Sequence, residues 1–393
     1  MPQAVHHLTC ALFSGLVCLV TTIPCFSAPP TSRPQTRTSI KSISIDPMIL
    51  KAKDGKVQSI EQLDLKALYN AAEKAFQYKK YKQSIFIYNR IRRYYPIHRV
   101  LYAALYNQAL AHEELKQFSD AAQLYQEVLK LKNTPTQTQR NAQFRWAACA
   151  TQQKQHQQAF QIYDQLLQTH LPQEDRLDAL AYAGETLVHL QKPVQALPLF
   201  QLALALYHRT PHSEPAPYSV GMAQYFWAYI MHQRFAQRPF RLPQSRMKQD
   251  LEYKAQHLLK AQKLYLKTIQ LRHADWALAA VYQIGKMYEQ MYNHVFQAPI
   301  PKSFTQEERQ IYQVELKRKV QVLLHKALYI YQRNLKFSQR LQFQQTEWVQ
   351  KTQKSFQHLM VFYKKSFGSL PNLDRPNFAA SQPASRKESK NQP

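Results

Sequence analysis

Small and apolar positions along this chain fall into pairs of helical blocks joined by a short hinge. The stretch Ala109 to Val128, ALAHEELKQFSDAAQLYQEV, shows the device. Two helical patterns meet at Lys116-Gln117-Phe118, with Ala109 on the first, Ala121 on the second and Tyr125 one turn after Ala121. Self-similarity at a fixed period decides architecture before any local feature does. Small residues recur as Ala72 and Ser84, Ala109 and Ala121, Ala147 and Ala159, Gly184 and Ala196, each pair 12 residues apart. An aromatic ring follows each second member by four residues: Tyr88, Tyr125, Tyr163, Phe200. Successive second members advance by 37, 38 and 37 residues.

Helices approach to roughly 8–10 Å only where the side chains at the crossing are small. Ala, Gly or Ser on both partners therefore predicts an antiparallel hairpin, with the ring one turn later filling the gap to its neighbour. One hairpin cannot bury its apolar face alone, so hairpins stack into a solenoid with a continuous core. Prolines at Pro96, Pro135, Pro172 and Pro211 close the units, where a helix must stop. At these residues the chain resembles the tetratricopeptide repeat family. It departs from the family's repeat length by three or four residues, and Gln108 and Gln143 stand where that family prefers large apolar side chains. The resemblance implies an all-α, right-handed α-solenoid of helix hairpins, with unstructured N- and C-terminal tails.

Beyond residue 210 the pattern is stretched. Ala261 with Tyr265 and Ala327 with Tyr331 repeat the second-helix spacing, 65 and 66 residues after Ala196 and Ala261. Their first helices are predicted at Tyr218 to Phe235 and Ala274 to Val295. Inserts follow at Gln237 to Ser245 and Gln297 to Phe304. Thr305 with Glu307 and Glu308 predicts a capped start to a long helix, and a last helix is expected from Phe343 to about Lys365. The organisation expected is a signal segment at 1–27, a tether at 28–58, four repeats at 59–210, elongated repeats with a capping helix at 216–366, and a tail at 367–393. The run from Asp275-Trp276 through Ala298-Pro299-Ile300-Pro301 to Trp348 looks like the C-terminal part of exported tetratricopeptide proteins of gliding and predatory bacteria. Some of those belong to envelope-spanning motility assemblies.

Leu8 to Val20 is an apolar run suited to a signal-peptide core and short for a membrane span. Cleavage after Ser27 fits that reading, although no Lys or Arg precedes the run. Pro24 before Cys25 argues against lipidation there. The expectation is export to the periplasm or outer membrane. Of four cysteines only Cys149 lies outside the signal segment, so no internal disulfide is possible in the mature chain. A buried small hydrophobe is the expected role of Cys149.

The formal charge of +27 over 393 residues speaks to the sign of partners rather than to fold. Basic residues without intervening acids run through Gln77 to Val100 (Lys79, Lys80, Arg92, Arg93), Met231 to Gln249 (Arg238, Arg241) and Leu316 to Thr346 (Lys317, Arg318, Lys319). Interleaved aromatics raise a nucleic-acid reading through phosphate contact and stacking. Export disfavours it and favours anionic envelope components. No HExxH, CxxC pair, GxSxG or glycine-rich phosphate loop occurs, and six glycines are too few to build the last. Glu113-Glu114 and Glu174-Asp175 are paired acids with nothing to set them across a cleft. Catalytic, cofactor and metal residues are accordingly expected to be none.

The tetratricopeptide resemblance implies a binding groove lined by the first helices. By spacing from each small residue that face should carry Tyr69, Asn70, Glu73, Tyr106, Asn107, Glu113, Phe144 and Glu185. In some family members an asparagine placed like Asn70 or Asn107 helps clamp a peptide carboxylate, but the accompanying lysines are missing here. The function expected is a non-enzymatic protein-binding scaffold of a bacterial envelope complex, related to motility or secretion. Two alternatives stand beside it: an accessory factor of outer-membrane or cell-wall assembly, and a basic nucleic-acid-binding repeat protein.

Overall fold

A computed structural model of the chain describes residues 52–53, 56–57, 60–97, 99–209, 216–343 and 345–373. The expected signal segment with Cys25, most of the tether and most of the tail lie outside the described residues. Thirteen helices make up nearly all of the described chain. They form two compact units, one within Gln35–Thr210 and the other within Pro211–Pro393.

The first unit opens on a two-residue antiparallel pair, β1 (Ala52–Lys53) with β2 (Lys56–Val57), inside the expected tether. The sequence between them is Asp-Gly, one of the dipeptides that favour a tight hairpin, which the tether reading overlooked. Four helix hairpins follow: α1 (Ile60–Gln77) with α2 (Tyr81–Tyr94), α3 (Leu101–Glu114) with α4 (Phe118–Lys130), α5 (Thr136–Gln152) with α6 (His156–Leu167), and α7 (Gln173–His189) with α8 (Pro193–His208). Each helix packs on the next in sequence.

All eight small residues of the repeat are buried, as are the four rings that follow them. In the fourth hairpin the second-helix ring of Phe200 lies over Gly184 of the first helix. A Cβ on Gly184 would stand 2.5 Å from the Phe200 ring, so an alanine there would force the ring to shift. Ser84 takes the place of alanine without leaving its hydroxyl stranded, because Oγ donates to the Ala72 carbonyl at 2.9 Å. Gln108, polar where an apolar residue was expected, is buried and donates to Asn89 Oδ1 at 2.9 Å.

The hinges share one geometry. Lys79, Lys116, Lys154 and Gln191, each seven residues after the small residue of its first helix, adopt φ of 59–61°. At the second hinge the Lys116 amide donates to Glu113 O (2.8 Å) and the Gln117 amide to His112 O (2.9 Å). The other three hinges repeat both bonds. This is the Schellman arrangement, which closes the orphan carbonyls of a helix end and favours glycine at the left-handed position. Cβ-bearing residues there are strained by about 1–2 kcal/mol, partly offset by glycine's greater unfolded-state entropy. Lys116→Gly is therefore expected to stabilise the first unit by roughly 0.5–1 kcal/mol, read as a raised urea midpoint at unchanged slope. An unchanged or lowered midpoint would contradict the strain argument.

The second unit contains α9 (Tyr218–Gln237), α10 (Gln244–Gln270), α11 (Ala274–Phe296), α12 (Gln306–Arg340) and α13 (Glu347–Phe367). Its first helices start and stop within two residues of expectation; the second insert is a loop, while the first is one only between Gln237, which ends α9, and Gln244, which opens α10. The stretched period comes from second helices of 27 and 35 residues, much longer than those of the first unit. Thr305 caps α12 in full: its hydroxyl accepts from the Glu308 amide at 3.2 Å, and the Glu308 carboxylate accepts from the Thr305 amide at 2.9 Å. The last helix begins four residues later than predicted, because Gln342 turns left-handed at φ 58° and Thr346 provides the next cap. Gly285 repeats the Gly184 device, with the Tyr331 ring 2.5 Å from where its Cβ would be.

Candidate functional site

Three of the four repeats place a ring three residues before the small residue of the first helix, where the fourth has Ala181, and all four place one four residues after that of the second. The two rings meet inside the hairpin. Tyr69 packs edge-on to Tyr88 (5.8 Å between centroids), Tyr106 edge-on to Tyr125 (5.4 Å), and Phe144 against Tyr163 at 6.1 Å. Tyr69, Tyr106 and Phe144 are thus core residues, which corrects their expected place on a groove. A ring at that position gains more by meeting its hairpin partner than by facing water. Asn107 is buried as well, and its Nδ2 donates to the Tyr69 hydroxyl at 2.7 Å, so it cannot clamp a peptide carboxylate. Asn70 is exposed, and Glu73, Glu113 and Glu185 are half-buried.

Glu113 reaches a partner that the spacing argument missed. Four residues after Ala109, it accepts from the Tyr125 hydroxyl at 2.6 Å and pairs with Arg145 of α5 at 2.9 Å. Burial lifts its carboxyl above the usual range, against the pull of Arg145 and Tyr125. Glu289, four after Gly285, takes the hydroxyl of Tyr331 at 3.1 Å. His232 occupies the same role toward Tyr265, with Nδ1 3.3 Å from the hydroxyl. The signal was present in sequence as a polar residue one turn after the small one. Glu185 lies 3.9 Å from His189.

The basic stretches divide. Lys79, Lys80 and Arg93 are exposed, while Arg92 bridges α2 to Glu127 of α4 at 2.8 Å. Arg238, half-buried, and Arg241, exposed, both bind the fully buried carboxylate of Asp250, at 2.7 and 2.6 Å. They fasten the loop after α9 onto α10, and Arg241, then Arg238, hold the Asp250 carboxyl below its usual range against burial. Lys317 lies over the Phe367 ring at 5.3 Å, Arg318 pairs with Glu315 at 2.9 Å, and Lys319 is half-buried.

The second unit also buries a titratable cluster. Lys254 is fully buried, donating to Phe235 O at 3.0 Å and to His294 Nδ1 at 2.9 Å. Desolvation pushes its amine down to about 8, and the same effect takes His294 and His232 down to about 4. His232 Nε2 meets Gln290 Oε1 at 2.6 Å, so its proton sits on Nε2 and Nδ1 accepts from Tyr265. Every polar atom of that histidine is satisfied within the fold, which leaves it poorly placed for proton transfer to a substrate. Burial drives the Cys149 thiol far above its ordinary range, so it is a packing residue and not a thiolate nucleophile. Among the described residues no group of three His, Cys, Asp or Glu side chains converges to hold a metal ion. No described helix is long and apolar enough to cross a membrane.

The surface with the character of a binding site is an aromatic shelf on the first helices of the second unit. Tyr229 from α9, Tyr282 from α11 and Trp348 from α13 are each half-buried. They gather around the buried Tyr225 ring: Tyr225 lies 6.4 Å from Tyr229 and 5.7 Å from Trp348, and Tyr282 is 5.8 Å from Trp348. Gln283 donates to the Tyr225 hydroxyl at 2.9 Å and fixes it. Trp276 supports the shelf from beneath, filling the space that Gly221 leaves. Lys351 stands over the Trp348 ring at 4.3 Å, and Lys286 pairs with Glu289 nearby on α11. Trp276 and Trp348 had drawn notice as sequence pattern, but only packing brings their environments together.

Stacked antiparallel hairpins, each joined through small residues and locked by a second-helix ring, define a fold of the tetratricopeptide-repeat type. No family model matches the sequence, and no curated protein matches it. Among solved structures, the chain is similar to a tetratricopeptide repeat protein from Parabacteroides merdae, at 13% identity over 74% of this chain and 99% of that one, with a TM-score of 0.38. It is also similar to the C-terminal part of a TPR repeat-containing protein from Cytophaga hutchinsonii, at 12% identity over 76% and 98%, TM-score 0.39. A third is yeast Tom70, at 11% identity over 77% and 82%, TM-score 0.25. With scores below 0.5 these likenesses add no argument of their own, and the fold rests on the packing described above.

Proposed function

We propose that this chain is a non-enzymatic protein-binding scaffold, exported and working within a bacterial envelope complex, with the aromatic shelf as its principal contact surface. The observation that carries the reading is the convergence of Tyr229, Tyr282 and Trp348 from three helices onto one partly exposed patch. Rigid aromatic anchors with a charged rim supply most of the energy of protein–protein contacts. The satisfied state of Glu113, His232 and Asp250 supports contact rather than catalysis. Export draws its support from the Leu8 to Val20 run, and a motility or secretion role from the Trp276 to Gly285 pattern.

Cross-linking cells that carry a tagged full-length chain, followed by purification and mass spectrometry, tests this. Recovery of envelope proteins is expected, falling at least tenfold when Trp348 and Tyr282 are both changed to Ala, with helix content unaltered. Unchanged recovery from the double variant would remove the shelf. Recovery of no envelope protein above background would defeat the scaffold reading.

A further inference from the structure

Helix α2 turns two opposite faces outward and inward. At 100° per residue, Lys82, Phe86, Arg90 and Arg93 fall within about 80° of one another. Ser84, Tyr88 and Ile91, the buried residues of the helix, lie on the other side. All four outward residues are exposed, and Phe86 shows 64% of its surface. The ends of the helix extend the same mixture. Tyr78 (67% exposed) precedes Lys79 and Lys80 at one end, and Tyr94 (60%) and Ile97 (95%) precede Arg99 at the other. Ile97 is more exposed than any other large hydrophobic residue described.

Exposed apolar side chains also occur singly elsewhere, as at Val194 and Val361, but here several of them stand among basic residues. The charge around them is of one sign. No Asp or Glu occurs between Glu73 and Glu113, a stretch that holds every residue of this face. The acids that reach α2 from its neighbours touch only its flanks, Glu127 at Arg92 and Glu114 at the Tyr81 hydroxyl.

We infer that the outer face of α2 docks on an anionic lipid surface. Cations spread among protruding apolar side chains match a bilayer interface, where guanidinium and ammonium groups meet headgroup phosphates while rings and an aliphatic side chain enter the acyl boundary. A nucleic acid fits less well. Phosphates would suit the cations, but Ile97 cannot stack on a base, and the face is the exterior of one helix rather than a channel that tracks a strand. This inference stands apart from the protein-binding reading, because a vesicle experiment needs no protein partner.

Flotation of the full chain with phosphatidylcholine vesicles, with and without about one third phosphatidylglycerol, tests it. Binding is expected only with the anionic lipid, weakening as salt is raised. Replacing Lys82, Arg90 and Arg93 together by Gln should weaken it roughly a hundredfold, at several-fold per cation. Phe86→Ser with Ile97→Ser should cost about tenfold through lost insertion. All five positions are exposed, so circular dichroism should match the parent. Absence of binding to anionic vesicles, equal binding to neutral ones, or a triple-Gln variant as tight as the parent would each overturn the inference. An oligonucleotide that displaces the vesicles and loses affinity in the same variants would reassign the face to nucleic acid.

Discussion

Ala121→Glu is expected to unfold the second hairpin and with it most of the first unit. Ala121 is fully buried, at the crossing of α4 with α3. Glutamate there would both overfill the crossing and bury a carboxyl. Burying an unpaired charge costs several kcal/mol, and overpacking adds about 1–3 kcal/mol. Their sum approaches the whole stability of a domain, about 5–15 kcal/mol. Stacked repeats transmit the loss, because each hairpin completes its core against its neighbours. The control is Gln123→Glu, two residues away on the same helix and exposed, which should shift stability by no more than about 0.5 kcal/mol. Thermal unfolding followed by circular dichroism separates them. A variant with Glu at position 121 that melts with the parent would mean that the small-residue crossing does not hold the hairpin.

The second large effect is acid loss of stability, located in the second unit. His232, His273 and His294 are held neutral by burial, each down to about 4. An unfolded histidine titrates near 6.5, so between these values the unfolded chain binds more protons than the folded one. Their contribution is fully present above pH 6.5 and is lost as pH falls toward 4. For His232, only 1% exposed, the shift corresponds to at most about 3 kcal/mol, with less from the half-buried His294. Among the described residues the first unit has no matching trio: burial lowers His156, while Glu185 raises His189. Asp250, held low in the fold, loses its contribution only below this window.

Urea midpoints at a series of pH values should therefore fall steeply from 6.5 to 4 for the second unit. His273 permits a sharper test, because both ring nitrogens are buried without a hydrogen-bond partner among the described residues, and the ring meets Tyr218 edge-on at 5.2 Å. His273→Phe keeps that contact and removes the stranded polar atoms. It should stabilise the unit by about 1 kcal/mol at pH 7 and flatten its acid slope. A slope unchanged in this variant would place the acid sensitivity elsewhere.

The repeat was legible because its requirements are local and periodic. A small residue, a hinge and a ring at fixed spacing specify a hairpin whatever surrounds it, and Ala72 through Phe200 behave as that spacing demands. Thr305 with Glu308 was equally readable, since a helix cap is settled within four residues. The face of Tyr69, Tyr106 and Phe144 was misread because spacing along one helix does not say which ring comes down on it from the next. The basic stretch at Arg238 and Arg241 suffered from the same limit: its acid, Asp250, is close in sequence, but whether it is buried beneath them is a matter of packing.

By itself, then, the order of residues determined the hairpin, its period, the long capped helix of the second unit and the sign of the protein's charge, because each follows from contacts a few residues apart or from composition. Only the tertiary structure decided that Asn107 serves the core, that His232 and Lys254 are desolvated, that three first helices bring Tyr229, Tyr282 and Trp348 together, and that Phe86 and Ile97 are left in water. Desolvation and the meeting of distant side chains depend on what is packed around a group, and that is fixed only when the helices stack.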